Sequence, residues 1–200
     1  MKYLIVGLGN PGREYENTRH NVGFKSLDAL VAKREGVAFK TERLGDVAHI
    51  RVKNKLLTLL KPSTYMNLSG KAVAYWMQKE GIELDKVLVV VDDIAIDLGV
   101  LRMKTKGSDG GHNGLKDINA VLGTQAYARL RVGVGGDFAR GGQIDYVLGE
   151  WSEEDNEKIP EVMTDVVSAV ENFVLMGAAR AMNIANTKKK PLQEEANKSE

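Results

Sequence analysis

Val87-Leu88-Val89-Val90-Val91 is an unbroken apolar run that ends in Asp92-Asp93. An alternating run would leave one face of a strand wet. A continuous one predicts a central strand covered on both faces, as in parallel sheets flanked by helices. Outward from it, Tyr3 to Val6 reads as another short buried strand, and Arg129 to Val134 as a third. Asp46 to Lys53 alternates Ala48, Ile50 and Val52 against Val47, His49 and Arg51, and Asn54-Lys55 turns it into Leu56 to Leu60, which predicts a hairpin. Val100 to Lys106 predicts a half-exposed strand whose outward face carries Arg102, Lys104 and Lys106.

Helices fill the intervals. Asn21 is placed to cap one that carries Leu27, Leu30 and Val31 and stops near Gly36; Asn67 or Ser69 is placed to cap a second, with Val73, Trp76 and Met77, ended by Gly81. Leu115 to Leu122 predicts a short third helix, and helical pattern fills Ser152 to Met182, with Pro160 as a break or first-turn residue. Strands alternating with helices, plus a hairpin, give an α/β class: a single-domain, three-layer fold with a twisted mixed β-sheet flanked by helices. The domain is expected to occupy residues 1–186; residues 187–200, rich in Lys, Glu, Gln and Asn, are expected to be a disordered tail.

At 200 residues and 43% hydrophobic content the chain can bury one sizeable core. No apolar run is long enough to span a bilayer, and Met1-Lys2-Tyr3 leads into a strand rather than a signal peptide, so no membrane partner and a cytoplasmic location are expected. With no cysteine, disulfides and thiolate metal sites are excluded. The net charge of +1 hides an uneven distribution: Arg102 to Arg140 holds seven Lys or Arg against three Asp, while Glu150 to Glu171 holds eight acids against Lys158. A basic strip of this kind either solvates strand faces or marks an electrostatic footprint for a polyanion.

Gly7-Leu8-Gly9-Asn10-Pro11-Gly12 matches the dinucleotide-binding pattern G-x-G-x-x-G after a strand. Its context fails, because the third glycine should open an apolar helix and Arg13-Glu14-Tyr15-Glu16-Asn17-Thr18-Arg19 offers almost nothing to pack on a sheet. The acid expected about 20 residues on would be Asp28, which falls inside a predicted helix.

The chain has three histidines. His49 falls on the polar face of a hairpin strand and reads as a surface residue. His20 and His112 each sit in a glycine-flanked loop and are each followed by Asn, where an imidazole can take a proton from water if its other nitrogen is held. Asp93, at the end of the central strand, is the expected partner, or else a turn cap; Asp92 should point the opposite way and Asp97 lies further out. Asn10, Asn67 and Asn113 read either as turn residues or as carboxamides for an oxyanion, a substrate carbonyl or ribose hydroxyls. No Gly-x-Ser-x-Gly elbow and no cysteine offers a covalent nucleophile. A metal held by His20, His112 and Asp93 is conceivable, but no helical His-x-x-x-His spacing supports it.

These segments together resemble the bacterial peptidyl-tRNA hydrolase family. The resemblance is carried by Val6 to Tyr15, Thr18-Arg19-His20-Asn21-Val22-Gly23, Lys61 to Gly70, Asp92-Asp93, Gly110-Gly111-His112-Asn113-Gly114-Leu115-Lys116 and Arg129 to Gly133, and spans about Lys2 to Trp151. It implies a monomeric esterase, independent of metal and without a cofactor, that releases the peptide from peptidyl-tRNA left by aborted translation. His20 would activate water, Asp93 would stabilise it, and Asn10 would help select N-blocked substrates. Tyr15, Tyr65, Asn67 and Asn113 would bind the CCA end or the adjoining peptide, Met66 and His112 would line the cleft, and Lys104 and Arg131 would clamp acceptor-stem phosphates. The chain departs from the family at Ile94-Ala95-Ile96-Asp97-Leu98-Gly99, which lacks the Pro of a Leu-Asp-Leu-Pro-like stretch. Two other functions compete with this one. An RNA binder without hydrolysis would not need the base, and a nicotinamide-dependent enzyme would need a helix after Gly12.

Overall fold

The computed structural model describes residues 1–187. In chain order it contains β1 (Lys2–Gly7), α1 (Val22–Ala32), β2 (Lys40–Glu42), β3 (Gly45–Val52), β4 (Lys55–Pro62), α2 (Ser69–Glu80), β5 (Val87–Asp93), β6 (Leu101–Lys104), α3 (Asn113–Leu122), β7 (Ala128–Gly133), α4 (Gln143–Val147), α5 (Glu153–Met176) and α6 (Ala178–Thr187). All seven strands form one sheet in the order β2-β3-β4-β1-β5-β7-β6. The four inner strands β4, β1, β5 and β7 run parallel, whereas β3 and β6 are antiparallel to their inner neighbours.

The register explains the continuous apolar run of β5. Leu88 and Val90 join one apolar layer with Ile5, Leu57, Leu130 and Val132, covered by α1 and α5. Val87, Val89 and Val91 join the other with Leu4, Val6, Trp76, Leu115 and Ile118, covered by α2 and α3. Both faces are dry, so an alternating pattern would bury polar side chains in one of the two layers. The expected α/β class with a mixed sheet between helical layers is what forms.

Several local expectations change. Pro160 does not break its helix: α5 runs through it, and Pro160 and Asn156 are both exposed, so the carbonyl that loses its donor faces solvent. The helical stretch divides instead at Gly177, with φ 84°. Neither Asn67 nor Ser69 caps α2, since Ser69 Oγ donates to Met66 O and the Gly70 N–H goes to Asp117 Oδ2 of α3 at 2.7 Å. The helix α1 ends at Ala32, short of Gly36. The basic strip from Arg102 to Arg140 offers one cation fewer to a partner, because Arg129 is fully buried and donates to the carbonyls of Gly107, Ser108 and Gln125. Thr187 belongs to α6, and the rest of the expected tail, residues 188–200, lies outside the described residues.

Candidate active site

The parallel strands deliver their C-terminal ends to one edge of the sheet, where ligands of such folds gather. There the start of α1 lies unusually close to β1 and β5. A Cβ on Gly23 would lie 2.4 Å from Leu8 N and 2.6 Å from Val90 O, and one on Gly7 would lie 2.2 Å from Gly23 O. Only glycine allows this approach. The glycine pattern thus serves helix-to-sheet packing, while Gly12 is followed by a short 3-10 turn, Arg13–Tyr15, and the helix opens only at Val22. Asn21 does stand at the N-cap of α1, as expected, but its side chain makes no cap bond there and closes the intervening loop. Its Oδ1 accepts from Asn10 N–H at 2.9 Å and its Nδ2 donates to Asn10 O at 2.9 Å.

This packing brings His20 over the end of β5. His20 Nδ1 lies 2.9 and 3.0 Å from the two carboxylate oxygens of Asp92, and His112 Nε2 lies 2.9 Å from Asp92 Oδ1. The partner of His20 is therefore Asp92, and the expectation of Asp93 is corrected. Strand parity is the cause. Asp92 follows Leu88 and Val90 onto the face that α1 covers, whereas Asp93 follows Val91 onto the opposite face. There Asp93 pairs with Arg131 at 3.2 Å and accepts from the Ala95 N–H, which orders the start of the atypical 94–99 loop.

Burial of the Asp92 carboxyl favours its neutral form, but the attraction and hydrogen bonds of His112 and His20 outweigh it and hold the group well below the usual carboxylate range. An ionised carboxylate only accepts. Both facing imidazole nitrogens must then be donors, which assigns each tautomer. His112 is the N-cap of α3, its Nδ1 accepting from Gly114 N–H at 3.1 Å, so its proton sits on Nε2 and points at Asp92. His20 carries its proton on Nδ1, which leaves the Nε2 lone pair available as a base. His20, Asp92 and His112 are also close enough together to hold a cation, but the nitrogens that face Asp92 already serve as donors to it.

The other expected residues take graded positions. Asn10 Oδ1 accepts from Met66 N–H at 2.8 Å, and no described residue partners its Nδ2. Met66 is buried, and its sulfur and the His112 ring flank the Cβ-less face of Gly114. Asn113, at the first position of α3, is exposed beside His112 and lines the cleft; Tyr65 and Asn67 are exposed at the turn before α2 and are not among the residues lining it. Tyr15 is half-buried in the 3-10 turn and is not among the residues lining the cleft around His20. Arg131 does line that cleft, while Lys104 stands exposed on edge strand β6, outside it. Sequence reasoning also missed the cleft's far wall, Gln143, Ile144 and Val147 of α4. No apolar periodicity could have announced this helix, in which no residue is buried.

The profile of the family described as peptidyl-tRNA hydrolase matches residues 4–193. The chain belongs to the peptidyl-tRNA hydrolase family. A peptidyl-tRNA hydrolase of Phocaeicola vulgatus is 57% identical over 188 residues, covering 94% of this chain and all of that protein. One from Cytophaga hutchinsonii is 54% identical over 189 residues, covering 94% of this chain and all of its own length. The crystal structure of peptidyl-tRNA hydrolase from Acinetobacter baumannii superposes with a TM-score of 0.86 at 34% identity, over 94% of this chain and 95% of that one. Membership agrees with a glycine motif that opens no helix, which the nicotinamide alternative would have required.

Proposed function

We propose that this chain is a working peptidyl-tRNA hydrolase in which His20 is the general base, oriented by Asp92. The observation that carries the proposal is the His20 Nδ1 contact to a buried, ionised Asp92, which fixes the tautomer with a free Nε2 lone pair. Water gives a proton to Nε2 and attacks the ester carbonyl. The tetrahedral intermediate then expels the tRNA 3′ oxygen, which receives the proton back from His20. His112 holds Asp92 from the other side. The open Nδ2 of Asn10 is a donor suited to a peptide carbonyl of an N-blocked substrate, and a free ammonium, itself only a donor, could not accept from it. Exposed Asn67, Asn113 and Tyr65 would meet the CCA end or the adjoining peptide, Met66 and His112 would floor the cleft, and Tyr15 would act from its margin.

Lys104 and Arg131 would contact acceptor-stem phosphates, Arg131 from a site it already shares with Asp93. The enzyme would act as a monomer, without metal or cofactor, on residues 1–186 as one domain. Its substrate is a product of translation, so the cytoplasm is the compartment of this proposal, and no described helix is long and apolar enough to cross a membrane. Turnover of N-acetyl-aminoacyl-tRNA and free aminoacyl-tRNA, measured side by side for the wild type and His20→Ala, tests the proposal. We expect strong preference for the blocked substrate and a loss of about 10²-fold or more in the variant, the scale of a positioned base. An RNA binder without hydrolysis would show no turnover in either protein, and near-wild-type turnover by His20→Ala would remove His20 from the role.

A further inference from the structure

Arg19 immediately precedes the base, yet its side chain points away from the carboxylate cluster into the connection between α4 and α5. It is only 11% exposed there. Its backbone N–H donates to Gly149 O at 3.1 Å, and the adjoining Thr18 forms an isolated antiparallel bridge with Glu150. One terminal nitrogen, Nη1, donates to Glu150 O at 2.8 Å and to Tyr146 O at 3.3 Å; the other, Nη2, lies 3.7 Å from the Asp155 carboxylate at the first turn of α5. The guanidinium stacks 4.3 Å over the Tyr146 ring and lies 5.5 Å from that of Trp151. Tyr146 is pinned from its other end, where its hydroxyl donates to Val134 O at 2.8 Å.

These contacts reach the C-terminal end of a five-residue helix, Gln143–Val147, at Tyr146, and the connection that follows it at Gly149, Glu150 and Trp151. A helix that short is not stable in isolation, and its last carbonyls lack intrahelical donors. A cation that donates to one of those carbonyls, Tyr146 O, and to Glu150 O in the connection beyond, while stacking on a ring of the same helix, ties the end of the helix to the segment that follows it and fixes its place. The opposite edge of the helix faces the cleft, where Gln143, Ile144 and Val147 stand across from His20, with Ile144 69% exposed. The base and the cleft wall are thereby tied through adjacent residues of one short turn, Arg19–Asn21.

We infer that Arg19 is a positioning residue for the hydrolysis, one that holds α4 as the cleft wall at a set distance from His20 so that the substrate ester is presented to the activated water. This inference rests on His20 being the base. Geometry within a site is worth large factors, and a displacement of about 1 Å can cost up to 10²-fold in rate.

The test uses the full chain with Arg19→Lys, which keeps the charge near Asp155 but cannot reach both carbonyls or stack as a plane, and Arg19→Gln, which keeps a donor and loses the charge. Three quantities are read: kcat/KM on N-acetyl-aminoacyl-tRNA across pH, amide hydrogen exchange of residues 142–150, and exchange of β5. We expect kcat/KM to fall roughly tenfold or more in both, the pH profile to keep its position because the His20–Asp92 pair is untouched, and exchange to quicken in 142–150 while β5 stays protected. Unchanged kcat/KM with a loosened α4, unchanged exchange in 142–150, or equally quickened exchange in β5 would each overturn the inference. A parallel His20→Ala measurement separates failure of the base assignment from failure of this one, because the exchange of 142–150 does not depend on which group takes the proton.

Discussion

Asp92 accepts from two imidazoles while almost wholly out of water, and it can do so because a carboxylate offers about four lone-pair positions to donors. Losing its charge would leave two donors on an uncharged acceptor, with the charge assistance of both hydrogen bonds gone. Asp92→Asn is therefore expected to lower turnover by about 10²-fold or more, whereas Asp93→Asn, which frees Arg131 and the 94–99 loop, should lower thermal stability and keep most of the turnover. Comparable losses of turnover in the two variants would contradict the assignment. Because the folded-state pKa of Asp92 is depressed, its contribution to stability is complete above the ordinary carboxylate value of about 3.8 and is lost as the pH falls through the depressed value. Urea midpoints of wild type should fall below pH 4 more steeply than those of Asp92→Asn, and parallel curves would remove the linkage. At this scale the residue types of the site were legible in the sequence, since His-Asn pairs among glycines have few uses in a core. The choice between adjacent aspartates was not, because it depends on which face of β5 receives α1, a fact of packing that strand alternation alone leaves open.

Among the elements, legibility followed how much apolar surface each buries. Strand β5 and helices α2 and α5 carry dense apolar patterns and were foreseen, while β2, three exposed residues, and α4, with none buried, left no pattern to find. Caps supplied from another element were invisible for a related reason. The Gly70 N–H at the start of α2 is satisfied by Asp117 of α3, and a Cβ on Gly70 would lie 2.7 Å from Asp117 O, so the two helices meet without room for a side chain. Asp117→Ala should destabilise the fold by about 1–2 kcal/mol, the usual worth of a cap with a charged acceptor. The urea midpoint should drop with the slope unchanged, and kcat should be retained. A midpoint equal to the wild type would show that α2 does not depend on this contact.

Over the whole molecule, an acidic group on α5 and the basic Lys104 lie on opposite sides of the sheet. The acidic residues Glu153, Glu154, Glu157 and Glu161 are exposed on α5, on the layer with α1. Lys104 lies on the opposite side: it pairs across from Arg129, which pairs across from Val89 of the α2 and α3 layer. The two candidate phosphate contacts are unequal, since Arg131 is committed to Asp93 and Lys104 is exposed. Lys104→Ala should raise KM for full-length peptidyl-tRNA with kcat nearly unchanged, and should flatten the salt dependence of log affinity by about 0.7 to 0.9. Arg131→Ala should lower thermal stability as well, because it also frees Asp93. An unaltered salt slope in Lys104→Ala would take that residue out of the interface. The separation of acid from base has a consequence before any contact forms. The α5 acids and Lys104 contribute a dipole component across the sheet, and in the field of a polyanion that component adds a torque to the attraction. Tumbling becomes biased toward the orientation that offers Lys104 and the cleft, so part of the search for the productive pose is completed while solvent still lies between the partners.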